Sequence, residues 1–365
     1  MRILYLLDML PNNGGAPIST VLIANWMASS NEVYIGMPSG GFDVSCLDKR
    51  IKVCQYNKAT HFSPSIFTKP FAFFAFAGEL SGLVNSIRPS IVHIETPISG
   101  WAIGFSLMKR KIKSDAVFIY HDRACVAQSS FPVRFITNFL IKRRIHNIVV
   151  LTDRGIDFWQ RKNRNRVFVI PNCPGGIFES LNISRLIDRE VLQVTFIGRF
   201  TKEKNWPKAI KIIKKFHDVK YNVVVSFPKE KESKVQRYFS KCLCKKASID
   251  FFYNAPQELI SKLLYQTDIL VMTSKKESFG RTAVEAMSRK CVVLGTDVGG
   301  IPFVIEKKDN ISNSYQRIIE RIAFYNFNRK ELKTDKEYFF SRYKKFFSLD
   351  SYIENHVKLY SEVLK

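Results

Sequence analysis

The chain has 365 residues, of which 46% are hydrophobic and 24% are charged, so it is long enough for two globular domains and too apolar for wholesale disorder. Lys and Arg total 57 against 32 Asp and Glu, and the net charge of +25 favours an anionic partner such as a nucleic acid, an acidic membrane or a phosphorylated substrate. None of the seven cysteines has CxxC spacing, so we expect reduced thiols, no structural zinc and a cytoplasmic protein.

The first half of the chain alternates short apolar runs with helix-length segments. Strands are predicted at 2–7, 33–36, 90–95, 116–121, 147–152 and 167–172. Gly14 and Gly15 follow the first run, and a helix is predicted over 17–28, because proline suits the first helical turn. Asp8 interrupts the N-terminal apolar run, and the apolar stretch 71–77 is too short to span a bilayer, so we expect neither a signal peptide nor a transmembrane segment.

The same alternation restarts near residue 191. Strands are predicted at 191–198, 221–227, 269–273 and 291–296, with helices over 207–216 and 280–289. Nearly continuous apolar strands that alternate with helices indicate parallel sheets covered on both faces. We therefore predict an α/β protein with two Rossmann-like domains, 1–182 and 190–349, which face each other across a cleft and are joined by a linker at 181–190.

The most informative segment is 277–302, ESFGRTAVEAMSRKCVVLGTDVGGIP. Residues 278–280 open a helix, and the free N–H groups of a helix N-terminus attract phosphate. Glu277 and Glu285 are separated by about 12 Å or less at the helical rise per residue. That spacing suits one carboxylate near a sugar and the other near a ribose, with a diphosphate between them, because carboxylates accept hydroxyl protons and repel phosphates.

Three further segments lie at or just after the ends of predicted strands. Gly198 precedes Arg199, and Lys204 comes five residues later; a glycine there allows close backbone approach to a ligand. Arg199 and Lys204 suit a diphosphate, the first through its forked donors and the second as a point charge. Gly15 can likewise approach a ligand, and His121 ends the strand at 116–121, where α/β sites are built.

The motifs GRF with its following lysine, Glu-x7-Glu in ESFGRTAVEAM, and GTDVGGIP resemble those of family-4 retaining glycosyltransferases of the GT-B fold. Their order matches as well, as does VIPN at 169–172, and the resemblance is strongest over 194–305. It implies that a final helix at 350–365 crosses back to the N-terminal domain. The chain departs from the family at Phe303, where an acidic residue is usual, and in PKEKES after 221–227, where a glycine-rich turn is usual.

The resemblance implies a catalytic set that works without a metal ion or other cofactor. Arg199 and Lys204 would hold the donor diphosphate and stabilise the leaving nucleotide. Glu277 would contact the donor sugar, and His121 would cover that sugar from the first domain. The implied donor-binding set is Gly15, Gly198, Ser278, Phe279, Gly280, Arg281 and Glu285. Within it, Glu285 would bind the ribose hydroxyls, and the amides at the helix start would contact phosphate.

The implied reaction is transfer of a hexosyl group from a nucleotide sugar with retention. We expect a UDP-sugar rather than a GDP-sugar, and a glycan or lipid-linked glycan acceptor in cell-surface polysaccharide or lipopolysaccharide biosynthesis. Two alternatives are a basic nucleic-acid-binding protein, although we recognise no zinc finger, basic zipper or RNP motif, and a GT-B sugar-nucleotide epimerase. A nicotinamide oxidoreductase is disfavoured because no GxGxxG follows the first strand.

Part of the positive charge is concentrated. Residues 109–166 carry 14 Lys or Arg and 4 Asp or Glu, with dense blocks at 109–113 and 141–146. One reading is a solvated basic face. The other is a peripheral contact with anionic lipid on the inner face of the plasma membrane, which would bring the enzyme to a lipid-linked acceptor. We expect no specific nucleic-acid partner.

Overall fold

The computed structural model describes residues 1–7, 15–40, 44–56, 70–161, 165–179, 190–243 and 248–365. The chain divides into two compact units: Met1–Asn172 together with Tyr352–Lys365, and Cys173–Ser351. Each unit contains one parallel β-sheet with associated helices, which confirms the predicted α/β class. Within these described ranges, we find no helix with the length and apolarity needed to cross a membrane.

The described part of the first unit forms a seven-stranded parallel sheet in the order β3-β2-β1-β4-β5-β6-β7. The strands are β1 (Arg2–Leu6), β2 (Glu32–Pro38), β3 (Lys52–Tyr56), β4 (Ile91–Ile94), β5 (Val117–Asp122), β6 (Asn147–Val150) and β7 (Arg166–Val169). The helices are α1 (Gly15–Met27), α2 (Pro70–Ile87), α3 (Pro97–Met108), α4 (Phe131–Thr137) and α5 (Ile156–Gln160). The strand order reverses between β1 and β4, which makes this point the switch point of the sheet.

The second unit repeats this layout with a five-stranded parallel sheet in the order β10-β9-β8-β11-β12. Its strands are β8 (Gln193–Arg199), β9 (Lys220–Ser226), β10 (Ile249–Tyr253), β11 (Ile269–Met272) and β12 (Val292–Gly295). Its helices are α6 (Trp206–Ile213), α7 (Glu232–Leu243), α8 (Gln257–Tyr265), α9 (Arg281–Met287), α10 (Ile301–Ile305), α11 (Tyr315–Phe327) and α12 (Arg329–Phe346). The switch point of this sheet lies between β8 and β11.

Burial explains which strands the sequence reveals. Central strands such as β4 and β11 are buried along their whole length, so both faces need apolar side chains and the runs are continuous. The strands β3 and β10, which the sequence analysis missed, lie at the outer edge of each sheet and are only partly buried. Their sequences, KVCQY and IDFFY, therefore mix polar with apolar residues.

The final helix, α13 (Leu349–Val363), belongs to the first unit from Tyr352 onward, in keeping with the predicted return to the N-terminal domain. The division between the units comes earlier in the chain than the predicted end at residue 182. Residues 173–179 belong to the second unit because Arg289 donates to their backbone, to the carbonyl of Phe178 at 2.9 Å among others. The predicted linker at 181–190 lies almost wholly outside the described residues.

Candidate active site

The switch point of the second sheet brings together the residues that the sequence analysis singled out in this unit. Gly198 and Arg199 end β8, and Glu277 lies in the loop that follows β11, the neighbouring strand. Ligands of doubly wound sheets bind outside the carboxyl ends of the strands at such a switch point. Arg199 is exposed there, at the end of its strand.

An ion pair joins the two loops at this point. Lys204 Nζ lies 2.5 Å from Glu277 Oε2, and the two side chains are only 18% and 17% exposed. Gly198 leaves room for the lysine, because a Cβ at that position would lie 3.1 Å from Lys204 Cγ. The sequence analysis assigned the lysine to the diphosphate and the glutamate to the sugar, but it did not anticipate that the two side chains contact each other.

Backbone contacts hold the loop after β8 in place. Trp206 Nε1 donates to the carbonyl of Arg199 at 3.0 Å, and the Thr273 hydroxyl donates to the carbonyl of Lys204 at 2.9 Å. The amide of Lys275 donates to the carbonyl of Glu203 at 2.7 Å. The loops that carry the two predicted cations and Glu277 are thus tied to each other, so the charged groups are held in a defined arrangement.

The predicted helix start has the expected position but is shaped by packing. Gly280 adopts a left-handed conformation with φ of 100°, which glycine tolerates best, and α9 begins at the next residue. Gly300 packs so closely on this segment that a Cβ would lie 2.6 Å from Phe279 Cα and 2.7 Å from the carbonyl oxygen of Ser278. The ring of Phe279 is buried against Phe347, so this side chain belongs to the core, and only its backbone could meet a ligand.

Glu285 has a charged partner that the sequence analysis did not predict. It lies one helical turn after Arg281 in α9, and Arg281 Nε donates to Glu285 Oε1 at 3.0 Å. The glutamate side chain is 6% exposed and that of the arginine is 20% exposed. A carboxylate held this way keeps its second oxygen as an acceptor, which is the property that binding a hydroxyl requires.

A basic cavity of about 430 Å³ adjoins the loop after β8. Its lining includes four lysines and three aromatic side chains: Lys202, Lys231, Lys234, Lys275, Phe200, Trp206 and Tyr238. A lining that combines lysines with aromatic side chains suits an anionic ligand with an apolar part. The sequence analysis missed this cavity because its lining comes from three separate segments of the chain.

The two predicted residues of the first unit have different surroundings. Gly15 is the first residue of α1. His121 is fully buried near the end of β5, with its Nδ1 3.6 Å from Glu95 Oε2, and burial lowers its pKa well below the usual range. Because the ring lies inside the unit, we assign the donor site to residues of the second unit. The contact of His121 with the sugar stays a prediction.

Comparison with known proteins supports a glycosyltransferase. Residues 179–334 match the family described as "Glycosyl transferases group 1". A protein from Klebsiella pneumoniae described as an uncharacterized 41.2 kDa protein in the cps region is 23% identical over 325 residues, which cover 83% of this chain and 80% of that protein.

Two solved structures share the fold over the whole chain. Sucrose-phosphate synthase from Thermosynechococcus elongatus superposes with a TM-score of 0.78 and 14% identity, covering 100% of this chain and 99% of that one. Anabaena HepE, solved in complex with UDP and glucose, superposes with a TM-score of 0.75 and 15% identity, covering 99% of both chains. The predicted GT-B fold is therefore confirmed. The match to the glycosyltransferase family confirms the prediction that the protein is a glycosyltransferase.

Proposed function

We propose that the protein is a retaining glycosyltransferase that moves a hexosyl group from a UDP-sugar to a glycan or lipid-linked glycan acceptor. In this proposal the acceptor belongs to cell-surface polysaccharide or lipopolysaccharide biosynthesis, and no metal ion or other cofactor takes part in the transfer. The observation that carries the proposal is the ion pair between Lys204 and Glu277 at the switch point of the second sheet, beside Arg199.

The charges of this site match the parts of a nucleotide sugar. Arg199 and Lys204 bind the diphosphate oxygens. Glu277, which the Lys204 ammonium contacts, accepts hydrogen bonds from the hydroxyls of the sugar. Glu285, held by Arg281, accepts hydrogen bonds from the ribose hydroxyls. Lys204 thus neutralises the carboxylate that would otherwise repel the diphosphate.

The proposed transfer is a substitution on one face of the sugar. The bond between the anomeric carbon and the diphosphate oxygen breaks while the acceptor hydroxyl bonds to the same face, and the hydroxyl proton passes to the departing phosphate oxygen. Negative charge grows on the diphosphate as it leaves, so the fixed charges of Arg199 and Lys204 stabilise the transition state more than the ground state.

The relatives support the finer parts of the proposal. HepE was solved with UDP and glucose, which favours a UDP-sugar over a GDP-sugar. The Klebsiella relative is described by its place in a cps region, which favours a surface polysaccharide.

A donor panel tests the proposal. The protein is incubated with UDP- and GDP-sugars, with and without glycan acceptors, and nucleotide release is measured together with the anomeric configuration of the product by NMR. We expect acceptor-dependent release of UDP and a product with the donor's configuration. Inversion would contradict the retaining mechanism. Conversion of the donor to an isomeric sugar nucleotide without transfer would indicate the epimerase alternative.

The segment that leads into the basic block 141–146 carries exposed aromatic side chains, and we propose that this part of the first unit contacts an anionic membrane. Phe131 in α4 is 71% exposed, Phe135 one turn later is 61% exposed, and their rings stack with centroids 6.3 Å apart. Arg143 and Arg144 lie over the ring of Phe139, itself 40% exposed. A peripheral membrane contact typically combines aromatic rings that enter the lipid interface with arginines that bind lipid phosphates.

Vesicle sedimentation at low salt tests the membrane contact. We expect binding to vesicles that contain phosphatidylglycerol, little binding to pure phosphatidylcholine, and at least a tenfold loss of binding on changing Phe131 and Phe135 together to serine. The matched control is Phe327→Ser, which removes a side chain that is 82% exposed in the second unit. Equal binding by the control and the double variant, or binding that ignores lipid charge, would contradict the proposal.

A further inference from the structure

A cluster of buried polar atoms in the first unit lacks hydrogen-bond partners. The ring nitrogens of His93, His121 and His356 that could bind a metal lie within 4.8 Å of one another. His93 Nε2, His356 Nε2, both ring nitrogens of His121 and Glu95 Oε1 are buried without a hydrogen bond. Leaving such a group buried and unsatisfied is destabilising, so four neighbouring side chains with unsatisfied atoms need a common explanation.

The hydrogen bonds of the outer ring nitrogens direct lone pairs into the cluster. His356 Nδ1 lies 2.8 Å from the carbonyl of Tyr352, and because a carbonyl only accepts, this nitrogen carries the proton and Nε2 keeps its lone pair. His93 Nδ1 lies 2.7 Å from the hydroxyl of Tyr360, which lies 2.9 Å from that of Tyr5. When His93 donates to Tyr360 and Tyr360 donates to Tyr5, His93 Nε2 is also a bare lone pair.

All three imidazoles are fully buried within the first unit. Neutral imidazole is the form that ligates metal ions. The partners on the far ring nitrogens have the place of the outer-shell groups that orient metal-binding histidines.

We propose that His93, His121 and His356 bind a transition-metal ion of the zinc class, with Glu95 as the fourth ligand. Imidazole nitrogens and carboxylate oxygens are ligands that zinc accepts in tetrahedral sites. The site lies within the first unit and does not depend on the proposed transfer reaction, and metal binding by His121 would replace the sugar contact that the resemblance implies for this residue.

The geometry of the cluster is close to that of a zinc site. Ligand atoms of a tetrahedral zinc site lie about 3.4 Å apart. His93 Nε2 is 3.7 Å from Glu95 Oε1, which is close to this spacing, and the three ring nitrogens, which lie within 4.8 Å of one another, would need to approach by up to about 1.4 Å. Arg123 Nε donates to Glu95 Oε2 at 2.5 Å, which occupies the second carboxylate oxygen and leaves Oε1 for the ion.

A trapped water explains the cluster less well. One water donates two protons, whereas the cluster offers lone pairs from three imidazoles and a carboxylate, and a cation accepts all four. The ion would also join distant parts of the chain, because His93 lies in β4, His121 in β5 and His356 in α13. Binding should therefore stabilise the attachment of α13 to the first sheet.

Metal analysis of the tagless full-length protein tests the site. After expression with added zinc and extensive dialysis, elemental analysis should find one zinc per chain, and replacement by Co²⁺ should give the intense visible absorption of a tetrahedral site. His356→Gln and His93→Gln should each lose the metal. The matched control, His146→Gln, changes an exposed histidine outside the cluster and should keep it.

Thermal unfolding gives a second readout that keeps the proposal testable if one variant folds poorly. A strong chelator should lower the Tm of the wild type and of His146→Gln, and it should leave the Tm of His93→Gln unchanged. Zinc far below one per chain in the wild type with no Co²⁺ absorption would overturn the proposal. Metal retained by both cluster variants would overturn it as well.

Discussion

Replacing Lys204 by methionine tests the ion pair on which the donor site is built. The change removes the ammonium group and keeps most of the aliphatic stem, so Glu277 loses the partner that lies 2.5 Å away. A hydrogen bond to a charged group contributes about 1.5–3 kcal/mol. Because the two side chains are 18% and 17% exposed, water screens part of this interaction, and we expect a stability loss of about 1–2 kcal/mol.

The effect on catalysis should be larger than the effect on stability. Without the ammonium group, the leaving diphosphate loses one fixed charge, and turnover should fall roughly 10²–10³-fold, as when one oxyanion donor is removed. Arg199→Ala should lower turnover by a similar factor. It should barely change stability, because the arginine side chain is exposed at the end of its strand.

Two assays on the same variants separate these effects. Urea unfolding gives the free energy of unfolding, and nucleotide release at saturating UDP-sugar gives turnover. The matched control is Lys215→Met, which removes an exposed lysine just beyond α6 and should change neither quantity. Turnover close to the wild type in both Lys204→Met and Arg199→Ala would refute the assigned roles, even if the lysine variant were less stable.

Two further changes test how the second unit is packed. Gly300→Ala places a methyl group 2.6 Å from backbone and should lower the free energy of unfolding by about 1–3 kcal/mol, whereas Gly78→Ala, with no atom within 4 Å, should not lower it; equal effects would contradict the packing argument. Lys336→Met leaves Asp268 as a buried charge without the ammonium 2.5 Å away and should cost about 3–5 kcal/mol in urea unfolding. Lys330→Met, which changes an exposed lysine, should alter the free energy of unfolding by no more than about 0.5 kcal/mol. An equally small loss in Lys336→Met would contradict the role of Lys336 as the partner that the buried Asp268 needs.

Most of the fold was predictable because buried parallel strands leave a continuous apolar signal. Strands β1, β4 and β11 fall within one or two residues of their predicted positions. Strands β3 and β10 lack that signal, because they are only partly buried and mix polar with apolar residues. The number of strands in each sheet was therefore underestimated, while the class was correct.

At the site, the sequence identified individual residues but not their contacts. The motifs marked Lys204, Glu277 and Glu285, yet the ion pairs that hold the carboxylates depend on loop geometry and on helical spacing. The i, i+4 spacing of Arg281 and Glu285 was a visible signal for one of these pairs. The contact between Lys204 and Glu277 had no such signal, because β8 and β11 become neighbours only in the folded sheet.

The histidine cluster illustrates the same limit. His93 and His121 end adjacent strands, and this strand order could have suggested that they meet. The third member, His356, comes from the last helix, and only the packing of α13 on the first unit brings it to the other two. The sequence analysis therefore singled out neither His93 nor His356 and predicted no metal site.

A crystal structure with a non-hydrolysable UDP-sugar tests the central claim most directly. We predict that the diphosphate oxygens lie within about 3.2 Å of the side-chain nitrogens of Arg199 and Lys204, and that a ribose hydroxyl donates to Glu285. A nucleotide bound elsewhere, with these three side chains contacting only protein, would contradict the assignment of the donor site.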